Sequence, residues 1–173
     1  MDFLDLARER YSCRSFSTKK VEKEKIEKIL EAAKLAPTAR NWQPQRILVL
    51  TEEEQLEKLS ACTRYGWNAP TVMILFYDKN ISYKRDIFDN KEFGDIDLSI
   101  VTTHMMFEAH NLGLGTTWIG AFDPQKLVEV YEVPTNLVPV AILPIGYPTP
   151  ESHPSKLHFQ RNEISDFVYW NKF

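Results

Sequence analysis

Two arginines and a serine lie close together near the start of the chain. Arg10, Ser12 and Arg14 fall within the stretch Arg-Tyr-Ser-Cys-Arg. A guanidinium group pairs with phosphate oxygens through two parallel hydrogen bonds, and a serine hydroxyl adds a further donor. The cluster therefore predicts a phosphate site, with a solvated basic turn as the alternative.

The remaining candidate groups do not indicate a metal site or a nucleophile with a base. His104 and His110 are too far apart in sequence to meet on adjacent turns of one helix. Asp95 and Asp97 lie on different faces of a predicted helix, and we interpret them as partners of its dipole. Cys13, between the two arginines, is either a reactive thiol or, as we prefer, a small buried filler. We therefore predict no metal and no catalytic side chain.

Composition limits the class of protein. With 173 residues and 43% hydrophobic content, the chain is long enough for one domain, which we place at residues 1–173. The net charge of -3 gives no basic surface for nucleic acid. Two unpaired cysteines and the absence of a secretion signal predict a cytoplasmic protein. The apolar segment 96–112 contains ionisable side chains, so we expect a buried core helix and no membrane span.

Periodicity predicts the elements of the first half of the chain. Apolar residues recur at helical spacing from Val21 to Leu35. A branched run from Arg46 to Leu50 predicts a strand, and Thr51 with Glu54 forms a capping-box signature for a helix that ends near Cys62. The run from Thr71 to Tyr77 is apolar almost throughout, which predicts a strand covered on both faces.

The second half predicts two helices and two strands. A long helix covers Asp95 to Leu112 and is stopped by glycines 113 and 115. A brief strand from Thr116 to Ile119 is followed by a helix that starts at Asp123-Pro124 and ends near Tyr131. A core strand covers Val138 to Ile145. We expect the aromatic tail, residues 159–173, to pack against another protein surface, such as that of a partner subunit.

Four segments, in order, resemble the nitroreductase family of FMN-dependent oxidoreductases over nearly the whole chain. They are residues 10–14 (RYSCR), 36–44 (APTARNWQP), 112–120 (LGLGTTWIG) and 143–148 (LPIGYP). The resemblance implies an α+β fold, that is, a three-layer sandwich in which helices flank a central mixed sheet. It also implies a two-fold homodimer in which the C-terminal segment extends onto the partner.

The resemblance implies non-covalent FMN and assigns its contacts. The phosphate and ribityl chain would be held by Arg10, Ser12, Arg14 and Arg161. The loop that reaches the cofactor of the other subunit would contribute Pro37, Thr38, Ala39 and Asn41. The pyrimidine edge of the flavin would pair with Asn68. Backbone beside the ring would come from Pro144, Ile145 and Gly146, with glycine allowing close approach.

The implied activity is reduction of nitroaromatics, quinones or related small molecules with NAD(P)H, in a ping-pong order at the flavin. Alternatives are a non-enzymatic flavin-binding or sensor protein, and a dehalogenase or flavin-fragmenting relative. Three positions depart from the family pattern, namely Tyr11, Arg40 and Trp42. The last two would narrow or charge the pocket above the ring, so they bear on substrate preference.

Overall fold

The structure is a computed structural model that describes residues 2–66 and 68–173. Its helices are α1 (Phe3–Glu9), α2 (Lys23–Leu35), α3 (Glu53–Lys58), α4 (Gly94–Asn111) and α5 (Pro124–Val130). Its strands are β1 (Gln45–Leu50), β2 (Thr71–Asp78), β3 (Gly115–Thr116) and β4 (Leu137–Gly146). Short 3-10 turns cover Ala39–Asn41, Leu59–Ala61, Lys156–Phe159 and Ile164–Asp166.

The strands form one sheet in the order β1-β2-β4-β3, and each neighbouring pair is antiparallel. Thr71 at the start of β2 lies opposite Ile145 near the end of β4. We expected a mixed sheet. Within the described ranges its parallel component is limited to one bridge, between Ser12 and Thr116, which places residues 11–13 beside β3.

Both faces of the sheet are covered by helices, as the apolar run of β2 predicted. Met73 and Leu75 contribute to a core with side chains of α2 and α4. Val72 and Ile74 point the other way, because side chains alternate along a strand, and they pack with α5 and the turn after α3. The result is the expected three-layer α+β sandwich.

The predicted capping box is wrong, whereas the predicted cap of α5 is confirmed. The chain stays extended through Glu52, so α3 begins later than the signature at Thr51 suggested, and no side chain caps it. In contrast, the Asp123 carboxylate accepts hydrogen bonds from the backbone N–H groups of Gln125 and Lys126. The sequence located both helices, but of these two only α5 has the side-chain cap that was predicted.

The two glycines after α4 have different roles. Gly113 has a φ of 77°, which confirms it as the helix stop. Gly115 belongs to β3, where an added Cβ would lie 2.6 Å from the Cβ of Cys13. Cys13 is fully buried in that contact, which confirms its role as a small filler. The close approach brings the predicted phosphate cluster against the sheet edge.

Candidate functional site

The edge of the sheet positions the predicted phosphate residues. The N–H of Cys13 donates to the carbonyl of Thr116 over 2.9 Å, and Thr116 in turn lies opposite Ile145. Neighbouring strands are spaced about 4.8 Å apart, so Ser12 and Ile145 lie about 10 Å apart across the sheet. Two segments distant in sequence, 10–14 and 144–146, are thereby brought together.

Arg10 and Arg161 are two cations close enough to interact electrostatically. Arg10 follows α1, and burial, together with the positive charge of Arg161, lowers its pKa. Arg161 itself is exposed and donates to the backbone carbonyls of Leu157 and Gln160, at 3.3 and 2.8 Å. Within the described part of the chain, neither arginine forms an ion pair with a carboxylate. The pair therefore lacks a counter-charge of its own.

The segment after β4 lies along the predicted phosphate residues. The Tyr11 hydroxyl lies 3.0 Å from the Ser152 hydroxyl, and the Ser15 hydroxyl lies 2.8 Å from that of Thr149. These bonds hold residues 149–152 along residues 11–15. Arg14 is exposed nearby and donates to the Ser12 carbonyl at 3.2 Å. We call Arg10, Arg14 and Arg161 the cationic cluster.

Asn68 and Gly146 lie at the same end of the sheet. Asn68 is exposed, with a φ of 54°, and it lines a cleft of about 900 Å³ with Arg64 and Pro70. A Cβ added to Gly146 would lie 2.8 Å from Pro70 and 3.1 Å from Phe16. The glycine is therefore required by packing within the chain, and the approach of its backbone to a flavin ring stays a prediction. Pro144 and Ile145 are buried in β4.

The loop that we predicted to face the partner subunit lies far from the cationic cluster of its own chain. Residues 38–43, which we call the arginine loop, follow α2 and lead into Pro44, whose carbonyl accepts from the N–H of Asp78. Asp78 ends β2, whereas Thr71 at its start lies beside the Asn68 segment. A strand of this length spans about 24 Å. Pro37, Thr38, Ala39 and Asn41 are thus at the opposite end of the sheet from the cationic cluster.

Asp97, which we interpreted from the sequence as a partner of the helix dipole, holds the arginine loop instead. Its buried Oδ1 accepts the N–H of Ala39 at 2.9 Å. Its Oδ2 is also buried and has no hydrogen-bond partner among the described residues. Burial raises the pKa of Asp97, and the bond from Ala39 opposes that effect. No sequence signal distinguishes it from the exposed Asp95 except the helical phase that turns it inward.

A pH-dependent stability should follow from Asp97. The Asp97 carboxyl keeps its proton to higher pH in the folded protein than in the unfolded chain. Its contribution to the stability of the fold therefore decreases as the pH rises above the ordinary aspartate pKa of about 3.9. Asp97→Asn keeps the acceptor and cannot ionise. We expect its free energy of unfolding, relative to wild type, to increase between about pH 4 and pH 7. Urea unfolding at both pH values measures this, and an equal drift in Asp95→Asn would assign the effect to the helix end.

Within residues 2–66 and 68–173, no group of three or more His, Cys, Asp and Glu side chains is arranged to hold a metal ion. None of the helices in these ranges has the length and apolar content that crossing a bilayer requires.

Solved structures share this architecture along the full chain. A nitroreductase family protein from Clostridium difficile 630 is 42% identical, with a TM-score of 0.92 and all of both chains covered. An FMN-dependent nitroreductase from Clostridium difficile R20291 is 28% identical, with a TM-score of 0.78, and 99% of this chain and 100% of that chain are covered. The fold is therefore the α+β fold of nitroreductases.

The sequence comparisons identify the family. The Nitroreductase family profile matches residues 7–64 and 61–147. A relative from Bacillus subtilis, the FMN reductase (NAD(P)H), is 30% identical over 158 residues, which are 82% of this chain and 64% of that protein. The chain belongs to the nitroreductase family and is an oxidoreductase. The resemblance found in the four sequence segments is thereby confirmed.

Proposed function

We propose that the protein is an FMN-dependent oxidoreductase that uses NAD(P)H to reduce nitroaromatics, quinones or related small acceptors. The observation that carries the proposal is the pair of cations Arg10 and Arg161: the charge of Arg161 contributes to lowering the pKa of Arg10, and neither arginine forms an ion pair with a carboxylate in the described part of the chain. Relatives named FMN reductase and FMN-dependent nitroreductase support the same cofactor.

The cationic cluster fits the phosphate of FMN. A dianionic phosphate offers several acceptor oxygens, and charge-assisted hydrogen bonds from arginine are the strongest of their kind in proteins. Arg10 is half-buried, which strengthens its interaction with an anion. Binding would also offset the repulsion between Arg10 and Arg161, because the phosphate would supply the negative counter-charge that the described residues lack. Ser12 and Arg14 lie in the same stretch and would add donors.

The remaining residues would place the ring. Asn68 carries one amide donor group and one acceptor at the mouth of the cleft, which suits the pyrimidine edge of a flavin. Pro144, Ile145 and Gly146 form a rigid buried wall at the same end of the sheet. Bound FMN supplies hydride and electron transfer. The protein would contribute position, charge and exclusion of water, and the proposal requires no catalytic side chain.

A homodimer completes the site in this proposal. The arginine loop and the cationic cluster lie at opposite ends of one sheet, so one chain cannot place both against the same cofactor. A two-fold axis allows the loop of each subunit to reach the site of the other. The exposed aromatic tail provides apolar surface for the interface, since Trp170 is 82% exposed in the single chain.

NAD(P)H and the acceptor would occupy one place in turn. The only Gly-x-Gly sequence is Gly113-Leu114-Gly115, and it lies between a helix and a strand. A dinucleotide fingerprint requires a strand before the glycines and a helix after them. The chain thus carries no separate nucleotide loop, which favours the ping-pong order.

The visible spectrum of the purified protein tests this proposal. We expect a yellow protein that keeps FMN through gel filtration, binds added FMN more tightly than FAD, and loses its flavin absorbance when NADH or NADPH is added without oxygen. Addition of a quinone or a nitroaromatic should restore that absorbance. Bleaching and recovery, recorded in one cuvette, measure both halves of the reaction.

Three outcomes would contradict parts of the proposal. A protein that stays colourless after FMN is added would instead be a binding module of another kind. Bound FMN that neither NADH nor NADPH reduces would indicate a flavin sensor or store, or an enzyme with another reductant. Release of halide from a haloaromatic, without reduction of nitroaromatics, would favour the dehalogenase alternative.

A further inference from the structure

An arginine without a carboxylate partner lies in the arginine loop. The guanidinium carbon of Arg40 is 5.5 Å from the ring centroid of Trp42 and 5.1 Å from that of Tyr83. The two rings meet edge to face, with centroids 5.8 Å apart. In the described residues, no ion pair or side-chain hydrogen bond engages the exposed guanidinium of Arg40. It is a fixed cation on an aromatic surface.

The backbone of this loop is strained. Arg40, Asn41 and Gln43 have φ values of 53°, 56° and 52°, in the left-handed region that residues with a Cβ disfavour. The conformation is maintained by the bond from Ala39 to the buried Asp97 and by a 3.1 Å bond from the Gln43 N–H to the Thr38 hydroxyl. Strain that the surroundings keep in place is characteristic of functional segments.

We propose that Arg40 binds the carboxylate of an aromatic electron acceptor, and that the enzyme therefore prefers aromatic acids over their neutral analogues. The inference rests on the proposed function, since the loop must reach the flavin of the partner subunit. Trp42 and Tyr83 lie beside the exposed guanidinium, and its N–H groups can pair with a carboxylate through two hydrogen bonds. The same two rings offer a surface for the ring of the acceptor.

The FMN phosphate does not need Arg40, because it is assigned to the cationic cluster of the subunit that binds the flavin. Arg46, in β1 beside the loop, pairs with Asp78 at 3.5 Å and is not available in the same way. Among the arginines around the loop, Arg40 is the one that lies beside aromatic rings and forms no ion pair with a carboxylate in the described residues.

Equilibrium binding of benzoate to the FMN-loaded protein tests the inference without turnover. We expect Arg40→Gln to weaken benzoate binding, measured by calorimetry, by at least about tenfold, since a charge-assisted contact is lost. Benzamide, which has the same shape and no charge, should be affected much less. Arg40→Lys keeps the charge without the planar group and should give an intermediate loss. Arg46→Gln is the matched control for the loss of one charge near the loop.

Kinetics with paired acceptors provide the second measurement. The ratio of KM for 4-nitrobenzoate to KM for 4-nitrobenzamide should rise about tenfold in Arg40→Gln. Equal changes for both acceptors, or an equal rise in Arg46→Gln, would overturn the inference. A change confined to the KM for NADPH, with NADH unaffected, would also overturn it and assign Arg40 to the 2′-phosphate. A wild-type protein that does not hold FMN, or whose FMN is not reduced by NAD(P)H, would instead refute the proposed function.

Discussion

Truncation after Ser165 should dissociate the proposed homodimer and release its FMN in one transition. The deleted residues include Phe167, Tyr169, Trp170 and Phe173, and each is more than half exposed in the single chain. Burial of one such side chain contributes about 1.5–3 kcal/mol. Loss of the four should raise the dimer dissociation constant at least about a thousandfold. Because each site would need a loop from the other subunit, dimerisation and cofactor binding are linked.

Sedimentation at low micromolar concentration, recorded at the flavin and protein wavelengths together, measures both effects. Trp170→Ala should shift both in the same direction, whereas Lys172→Ala, in the same segment, should shift neither appreciably. Arg161 is retained in the truncated chain, so loss of FMN cannot be attributed to the cationic cluster. A truncated monomer that still carries flavin would refute the shared site.

Arg10→Ala should weaken the binding of FMN by about 10 to 150-fold while the fold is retained. Arg10 is half-buried and has no carboxylate partner in the described residues, so a bound phosphate would be its main counter-charge. A hydrogen bond to a charged group contributes about 1.5–3 kcal/mol, which corresponds to that range. Titration of the apoprotein with FMN, followed by quenching of flavin fluorescence, gives the dissociation constant.

Two controls separate a phosphate contact from a general loss of charge. Arg8→Ala removes an arginine that is exposed on α1 and paired with Asp5 at 3.0 Å, and it should leave the dissociation constant within about twofold. Riboflavin lacks the phosphate, so its affinity should change little in Arg10→Ala. If Arg10→Ala weakens riboflavin and FMN equally, Arg10 supports the fold of the site and does not bind the phosphate.

The secondary structure was predictable wherever burial imposed a clear period on the sequence. The helix at Lys23–Leu35 and the fully buried strand at Thr71–Asp78 were each found within a few residues of their actual ends. The start of α3 was missed because the capping signature at Thr51 competes with an extended connection from β1. The short extent of β3 was also missed, because it depends on how far residues 11–13 lie alongside it.

The residues of the candidate site were predictable in type, and their arrangement was not. The cluster of arginine and serine at residues 10–14 predicts a phosphate site from the sequence alone, because the donors are close together along the chain. Arg161 has no such signal, since it reaches Arg10 only through the path of residues 149–152. Asp97 has none either, because an inward carboxylate differs from an outward one only in the packing of α4 against the loop.

The sequence by itself determined the family, the positions of most helices and strands, and the grouping of donors at residues 10–14. These depend on local periodicity and on groups that are neighbours along the chain. Only the tertiary structure decided that the arginine loop and the cationic cluster lie at opposite ends of the sheet. That separation depends on strand register and direction, which are fixed by contacts between segments far apart in sequence. The need for a second subunit to complete the proposed site follows from it.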